Sequence, residues 1–278
     1  MSYIERKSTV SGETVKLYYE DYGQGQPVVL IHGWPLSGDM WEYQVPAIVN
    51  AGFRCITYDR RGFGKSSRPW SGYDYDSLGE DLKAVLEGLN LQNVVLIGFS
   101  MGGGEIARYF GKYGSDRVTK AAFISAVTPY MSKTADNPDG VDPKVFEQMT
   151  EQMKTDRQAF LAGFTKQFYG VTALSHPVSS EKLDYDFIVA GLASPRATLV
   201  CAASFASTDF RKDLQKIKVP TLVIHGDADK TVPIDSSDNL TAKAIAGSQY
   251  IVYEGAPHGL FITEKNKLNE DLLRFLKK

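Results

Sequence analysis

The sequence predicts an α/β fold, a mostly parallel eight-stranded sheet flanked by helices, with a helical insertion late in the chain. Three observations carry that expectation. Eight short runs have strand character, and several are apolar on both faces, as central strands of a parallel sheet are. Helix-like segments separate most of these runs, which implies right-handed crossovers. Between Thr128 and Lys216 strand-like runs disappear, then the alternation resumes. The expected division is therefore a first part of the core at 1–127, a helical cap at 128–216 and a second part of the core at 217–278.

Taken in order, strand candidates at Tyr3–Lys7 and Val15–Asp21 open the chain. The turn Gly23-Gln24-Gly25-Gln26-Pro27 leads to the buried strand Val28–Ile31. A loop from His32 and a helix over Trp41–Ala51 precede the strand Phe53–Tyr58. After the Gly-rich loop Asp59–Ser66, a helix spans Tyr75–Leu89, with Leu78, Leu82, Val85, Leu86 and Leu89 at helical spacing. The strand Asn93–Ile97, a helix from Glu105 and the strand Val118–Ser125 follow. In the insertion, Val145–Lys154, Arg157–Phe168, Asp184–Ala193 and Ala197–Ser207 read as helices. The strands Val219–Ile224 and Gln249–Val252 alternate with helices at Ser236–Ala246 and Leu268–Leu276.

A length of 278 residues suits one domain with an insertion. The formal net charge of -2 argues against nucleic acid or anionic membranes as partners. The two cysteines, Cys55 and Cys201, read as reduced structural thiols. Met1–Val10 is charged at Glu5, Arg6 and Lys7 and has no apolar stretch of a secretory signal. No run approaches the ~20 apolar residues of a membrane span. A cytoplasmic location is expected, and no metal centre, because the histidines are scattered and the cysteines lack ligand spacing.

The chemistry centres on Gly98-Phe99-Ser100-Met101-Gly102, which a strand enters and a helix leaves. A serine on such a turn is lifted out of the sheet and set at a helix N-terminus, the way a nucleophile is displayed. A serine hydroxyl needs a base, and histidine is the side chain tuned to neutral pH. Of four histidines, His32 and His225 end buried strands beside glycines and are expected to brace loops. His176 lies beside Pro177 in the insertion, at the surface. His258 follows the last strand, so its loop emerges at the same carboxyl edge of the sheet as Ser100. It is the candidate base. The loop Gly226-Asp227-Ala228-Asp229 offers two carboxylates to orient it, one of which would serve as a turn cap. Asp235 is a lesser candidate, expected to N-cap the next helix. Oxyanion donors are expected from the backbone N–H groups of Met101 and of Trp34, in His32-Gly33-Trp34-Pro35; Pro35 has no N–H to give.

With these motifs assembled, the chain resembles the α/β-hydrolase superfamily along its whole length. His32-Gly33-Trp34-Pro35, Asp39-Met40-Trp41-Glu42, Tyr58-Asp59-Arg60-Arg61-Gly62-Phe63-Gly64 and Gly98–Gly104 are similar to those of the bacterial arylesterase and cofactor-free haloperoxidase (perhydrolase) group. The resemblance implies Asp229 as the acid beside Ser100 and His258, and Trp34 and Met101 as oxyanion donors. It implies that Pro35 tunes the Trp34 carbonyl to accept a hydrogen bond from hydrogen peroxide, so that an acyl-enzyme yields peracid. It also implies a homo-oligomer. The expected substrates are small esters or carboxylic acids, with hydrogen peroxide as co-substrate. Phe99, Phe146, Phe160, Phe164 and Val232, with Trp34, are candidates to line the acyl pocket, although helical spacing of the cap phenylalanines equally suits core packing. Two other readings stay open: a lactamase or amidase with the same three residues, and a non-catalytic small-ligand receptor.

Overall fold

The computed structural model describes residues 2–278. Its eight strands are β1 (Ser2–Lys7), β2 (Thr14–Tyr22), β3 (Pro27–Ile31), β4 (Arg54–Tyr58), β5 (Val94–Phe99), β6 (Val118–Ile124), β7 (Thr221–Gly226) and β8 (Gln249–Tyr253). They form one sheet in the order β1-β2-β4-β3-β5-β6-β7-β8. β2 runs antiparallel to both neighbours, and every other pairing is parallel. The helices are α1 (Gln44–Asn50), α2 (Tyr75–Gly88), α3 (Met101–Tyr113), α4 (Pro143–Phe168), α5 (Ser180–Leu192), α6 (Pro195–Ser207), α7 (Arg211–Leu214), α8 (Asp238–Ala244), α9 (Leu260–Thr263) and α10 (Lys265–Leu276). None among the described residues is by itself long and apolar enough to cross a membrane.

Period-two alternation splits each central strand between two cores. Val29, Ile31, Leu96, Phe123 and Val223 face α2, α3 and α6. Val28, Leu30, Ile97, Ile124 and Ile224 face the opposite side, where Ile48 of α1 and Leu268 and Leu272 of α10 cover them. Both sheet faces are therefore closed by helices, and loops at the carboxyl edge remain free for chemistry. Cys55 and Cys201 are buried and unpaired.

Helices α4, α5 and α6 lie between β6 and β7 in the chain, and α4 packs on both of the others. Helix α4 breaks at Asp156, whose φ of -151° and ψ of 90° are not helical. Its carboxylate accepts the Ala159 N–H at 2.9 Å, which caps the second half. The two helices expected at Val145–Lys154 and Arg157–Phe168 thus meet at a capped kink.

Two expectations need correction. The helix expected from Trp41 starts at Gln44, because Pro46 lacks an N–H and fits only the first turn; Gly38–Trp41 forms a 3-10 turn instead. Asp235 does not cap α8. It lies in a 3-10 turn, exposed, and accepts from the Asn239 side chain, while Ser237 stands at the N-cap position.

Candidate active site

Strand β5 turns into α3 at Ser100, which holds φ 54° and ψ -117°. A side chain in this sparsely populated region is strained, and tight packing has to hold it there. The packing is visible at the flanking glycines. A Cβ at Gly98 would meet the Gly102 carbonyl at 2.6 Å, and one at Gly102 would meet the Ile31 oxygen at 2.4 Å. Only glycines let the turn close this tightly against β3.

The loops after β3, β7 and β8 converge on that serine. His258 Nε2 stands 3.0 Å from Ser100 Oγ, and its Nδ1 stands 2.6 Å from Asp229 Oδ2. All three residues are buried. Asp229 is pinned from the other side, since its Oδ1 accepts the Thr231 and Val232 N–H groups, each at 2.8 Å. Burial alone would push this carboxyl up, but His258 and His225 outweigh burial and hold it well below the usual carboxylate range. It stays an acceptor at neutral pH, so the proton of the neutral imidazole sits on Nδ1 and the Nε2 lone pair faces the serine. Asp227 takes the other role considered for this loop: its Oδ1 accepts the Gly255 N–H at 2.6 Å and ties down the loop that carries His258.

The His32–Pro35 loop packs against the turn. A Cβ at Gly33 would lie 2.5 Å from the Phe99 ring and 3.2 Å from Ser100 Cβ, so any side chain there would push the loop away from the serine. Met40 Sδ accepts the Gly33 N–H at 3.4 Å. His32 braces this loop as expected, accepting the Arg60 N–H on Nε2 at 2.9 Å, and burial pushes its pKa well down. The Trp34–Pro35 peptide is cis. The Trp34 indole N–H donates to the Thr198 carbonyl of α6 at 3.0 Å, which anchors the loop to the helices above it. The backbone N–H groups of Trp34 and Met101 have no acceptor among the described residues, and the Met101 one belongs to the first turn of α3, where N–H groups are free to bind an anion.

A cavity of about 520 Å³ opens over these groups. Trp34, Ser100, Phe146, Phe160, Phe164, Val232 and His258 all line it. Phe99 does not, and this corrects the expectation. Its ring is fully buried behind the site, 4.9 Å from the His258 ring and 5.0 Å from Phe261, because alternation along β5 turns it to the face opposite the cavity. The ring supports the imidazole from behind. Phe205, Met131 and Met149 line the cavity without having been anticipated. A larger open groove of about 850 Å³ runs along Glu20, Tyr43 and Tyr185 but includes neither Ser100 nor His258.

Two buried networks support the site. Arg60 Nη2 donates to the His32 carbonyl at 2.6 Å while its Nε donates to Glu105 of α3 at 2.5 Å; Tyr58 donates to the same carboxylate. This bridge fixes the His32–Pro35 loop relative to the serine turn. The only hint of it in the sequence was a pair of arginines one residue past the end of a buried strand.

The second network continues behind Asp229. His225 braces the loop, as anticipated, by donating from Nε2 to the Val232 carbonyl at 2.9 Å. The same nitrogen lies 3.2 Å from Asp229 Oδ2, and Nδ1 lies 2.8 Å from Asp238 Oδ2. Burial would favour neutral His225, but the two carboxylates prevail and push its pKa up to about 10. A raised histidine pKa contributes stability that is complete below its usual 6.5 and is lost as pH climbs through about 10. His225→Gln is therefore expected to destabilise the fold at pH 7 by about 3–5 kcal/mol, the cost of leaving buried carboxylates without their partner. Denaturant titrations from pH 6 to 10.5 should show the two proteins converging as pH rises, and a gap independent of pH would contradict this account.

Comparison with known proteins matches residues 26–265 to the family described as alpha/beta hydrolase fold. A non-heme chloroperoxidase (CPO-A1) of Kitasatospora aureofaciens is 42% identical over 266 residues, 95% of this chain and 97% of that protein. A bifunctional esterase/perhydrolase of Acinetobacter calcoaceticus is 37% identical over 280 residues and the match covers 100% of both. The crystal structure of a bromoperoxidase from Bacillus anthracis superposes with a TM-score of 0.95 at 52% identity, over 100% of each chain.

Proposed function

The chain belongs to the alpha/beta hydrolase fold family, and from that premise we propose that it is a serine hydrolase of small carboxylic esters, whose acyl-enzyme can be resolved by water or by hydrogen peroxide. The observation that carries this reading is the hydrogen-bonded line from Asp229 through His258 to Ser100 Oγ, at 2.6 and 3.0 Å, on the floor of a mostly apolar cavity.

In the first step His258 Nε2 takes the Ser100 proton as Oγ attacks the acyl carbonyl. Asp229 holds the imidazole by Nδ1 and stabilises the imidazolium that forms. The N–H groups of Trp34 and Met101 receive the developing oxyanion, each donor contributing ~2.7–4 kcal/mol to the transition state. His258 then returns its proton to the leaving alcohol or, for a carboxylic acid substrate, to departing water. In the second step the imidazole takes a proton from water or peroxide, and attack on the acyl-enzyme releases carboxylate or peracid. The aromatic wall of Trp34, Phe146, Phe160 and Phe164 suits an apolar acyl or aryl group, and the helical segment 128–216 acts as the cap that provides most of it. The relatives named for chloroperoxidase and for esterase/perhydrolase support one site serving both outcomes, since a peracid oxidises halide in solution.

The purified protein should hydrolyse p-nitrophenyl acetate and form peracetic acid from acetate and hydrogen peroxide. Failure in both assays would refute the proposal. Pro35 is assigned to the peroxide branch, because proline fixes its own φ and restricts Trp34 before it. Pro35→Leu is expected to lower perhydrolysis relative to esterolysis by about tenfold, a 1.4 kcal/mol change in partitioning. An unchanged ratio of the two initial rates would remove Pro35 from that role.

A further inference from the structure

Five methionines fall among the described residues, and the fold sorts them into two sets. Met131 and Met149 line the cavity that holds Ser100 and His258. Met40, Met101 and Met153 are buried, and none of them lines it. Met153 stands one turn beyond Met149 on the same helix and is buried in the core away from the cavity, whereas Met149 is half-buried and lines it. Met131 is almost completely buried, and the cavity is its route to small molecules. Among the side chains that line this cavity a thioether is the softest nucleophile, and it is readily converted to a sulfoxide.

We propose that Met131 and Met149 are oxidative modification sites, converted to sulfoxides by the peracid formed at Ser100, so that peracid synthesis limits itself. The proposal rests on the peroxide branch of the function argued above. In the step, a sulfur lone pair attacks the terminal peroxy oxygen. The S–O bond forms as the O–O bond breaks, and the peroxy proton passes to the departing carboxylate. Sulfur is oxidised by two electrons and the peracid is reduced to the carboxylic acid, with no further reactant. A sulfoxide places a strong dipole in a wall built from Phe146, Phe160, Phe164, Phe205 and Val232, where it weakens the binding of apolar acyl groups.

The test is peptide mass mapping after the protein has turned over acetate and hydrogen peroxide. One added oxygen is expected on Met131 and Met149 and none on Met40, Met101 or Met153. The same peptides should stay reduced with peroxide alone, and in Ser100→Ala given acetate and peroxide. During turnover the wild-type rate of p-nitrophenyl hexanoate hydrolysis should fall several-fold. The Met131→Leu/Met149→Leu protein should hold its own starting rate over the same exposure. If peracid accumulates while both sulfurs remain reduced, or if all five methionines oxidise alike, this proposal alone is overturned. Oxidation persisting in Ser100→Ala, or equal decline in the double variant, overturns it as well. If no peracid forms, the peroxide branch fails and the proposal falls with it.

Discussion

Ser100→Ala is expected to lower kcat for ester hydrolysis by about 10⁶-fold, the magnitude seen when a serine nucleophile is deleted from such a site. Among the described residues no other hydroxyl lies within hydrogen-bond distance of His258 Nε2. Among the described residues only Ser100 combines the 3.0 Å contact with His258 Nε2 and a position at the N-cap of α3. Without Oγ no acyl-enzyme forms, so ester hydrolysis and peracid synthesis should be lost together. That joint loss separates a shared intermediate from two independent reactions. Alanine accepts the same strained backbone about as well as serine does, and it keeps the Cβ that packs against Gly33. Thermal unfolding should therefore move little, and circular dichroism of the variant should match the parent. A variant that kept peracid synthesis while losing esterolysis would contradict the shared acyl-enzyme.

Asp229→Asn carries the second large effect, expected at about 10⁴-fold in kcat with the fold retained. The reason lies in how the carboxylate is held. Its Oδ1 accepts two backbone N–H groups, from Thr231 and Val232. In asparagine those donors would keep the amide oxygen where Oδ1 now is. The amide NH2 group would then occupy the Oδ2 position, 2.6 Å from His258 Nδ1. A donor there selects the imidazole tautomer that carries its proton on Nε2, toward Ser100, and that tautomer cannot take the serine proton. The same NH2 group would oppose His225 Nε2, which already donates to Val232. Steady-state kinetics with p-nitrophenyl acetate should show the loss in kcat with KM little changed. A loss confined to KM would mean that Asp229 shapes the cavity rather than the base.

Much of this site was legible in the sequence because strand order dictates it. Ser100, His258 and the Asp227–Asp229 loop each follow an apolar strand that ends at one edge of the sheet. Parallel pairing then brings them together without any knowledge of the loops. Alternation along β5 also held enough information to place Phe99 on the far side, and adjacency to the serine obscured it. The networks of Arg60 with Glu105 and of His225 with Asp238 were not legible. Their partners are 45 and 13 residues apart, and neither pairing leaves a periodic trace. Charged residues beside buried strands were the only signal, and burial of a charge implies a partner without naming it. The cavity wall was half legible for a related reason. Helical spacing put Phe160 and Phe164 on one face of the second half of α4, but only the packing of α4 on α6 shows that this face closes over the serine and not entirely into the core, and that Phe146, across the kink at Asp156, joins it.

Active-site labelling with a fluorophosphonate probe tests the central claim most directly, because the probe reacts only with a serine that a base has activated. One probe per chain, recovered on the peptide that contains Ser100 and absent from Ser100→Ala, is the predicted result. An unlabelled native protein, or label persisting in Ser100→Ala, would contradict the nucleophile on which both the ester and the peracid chemistry rest.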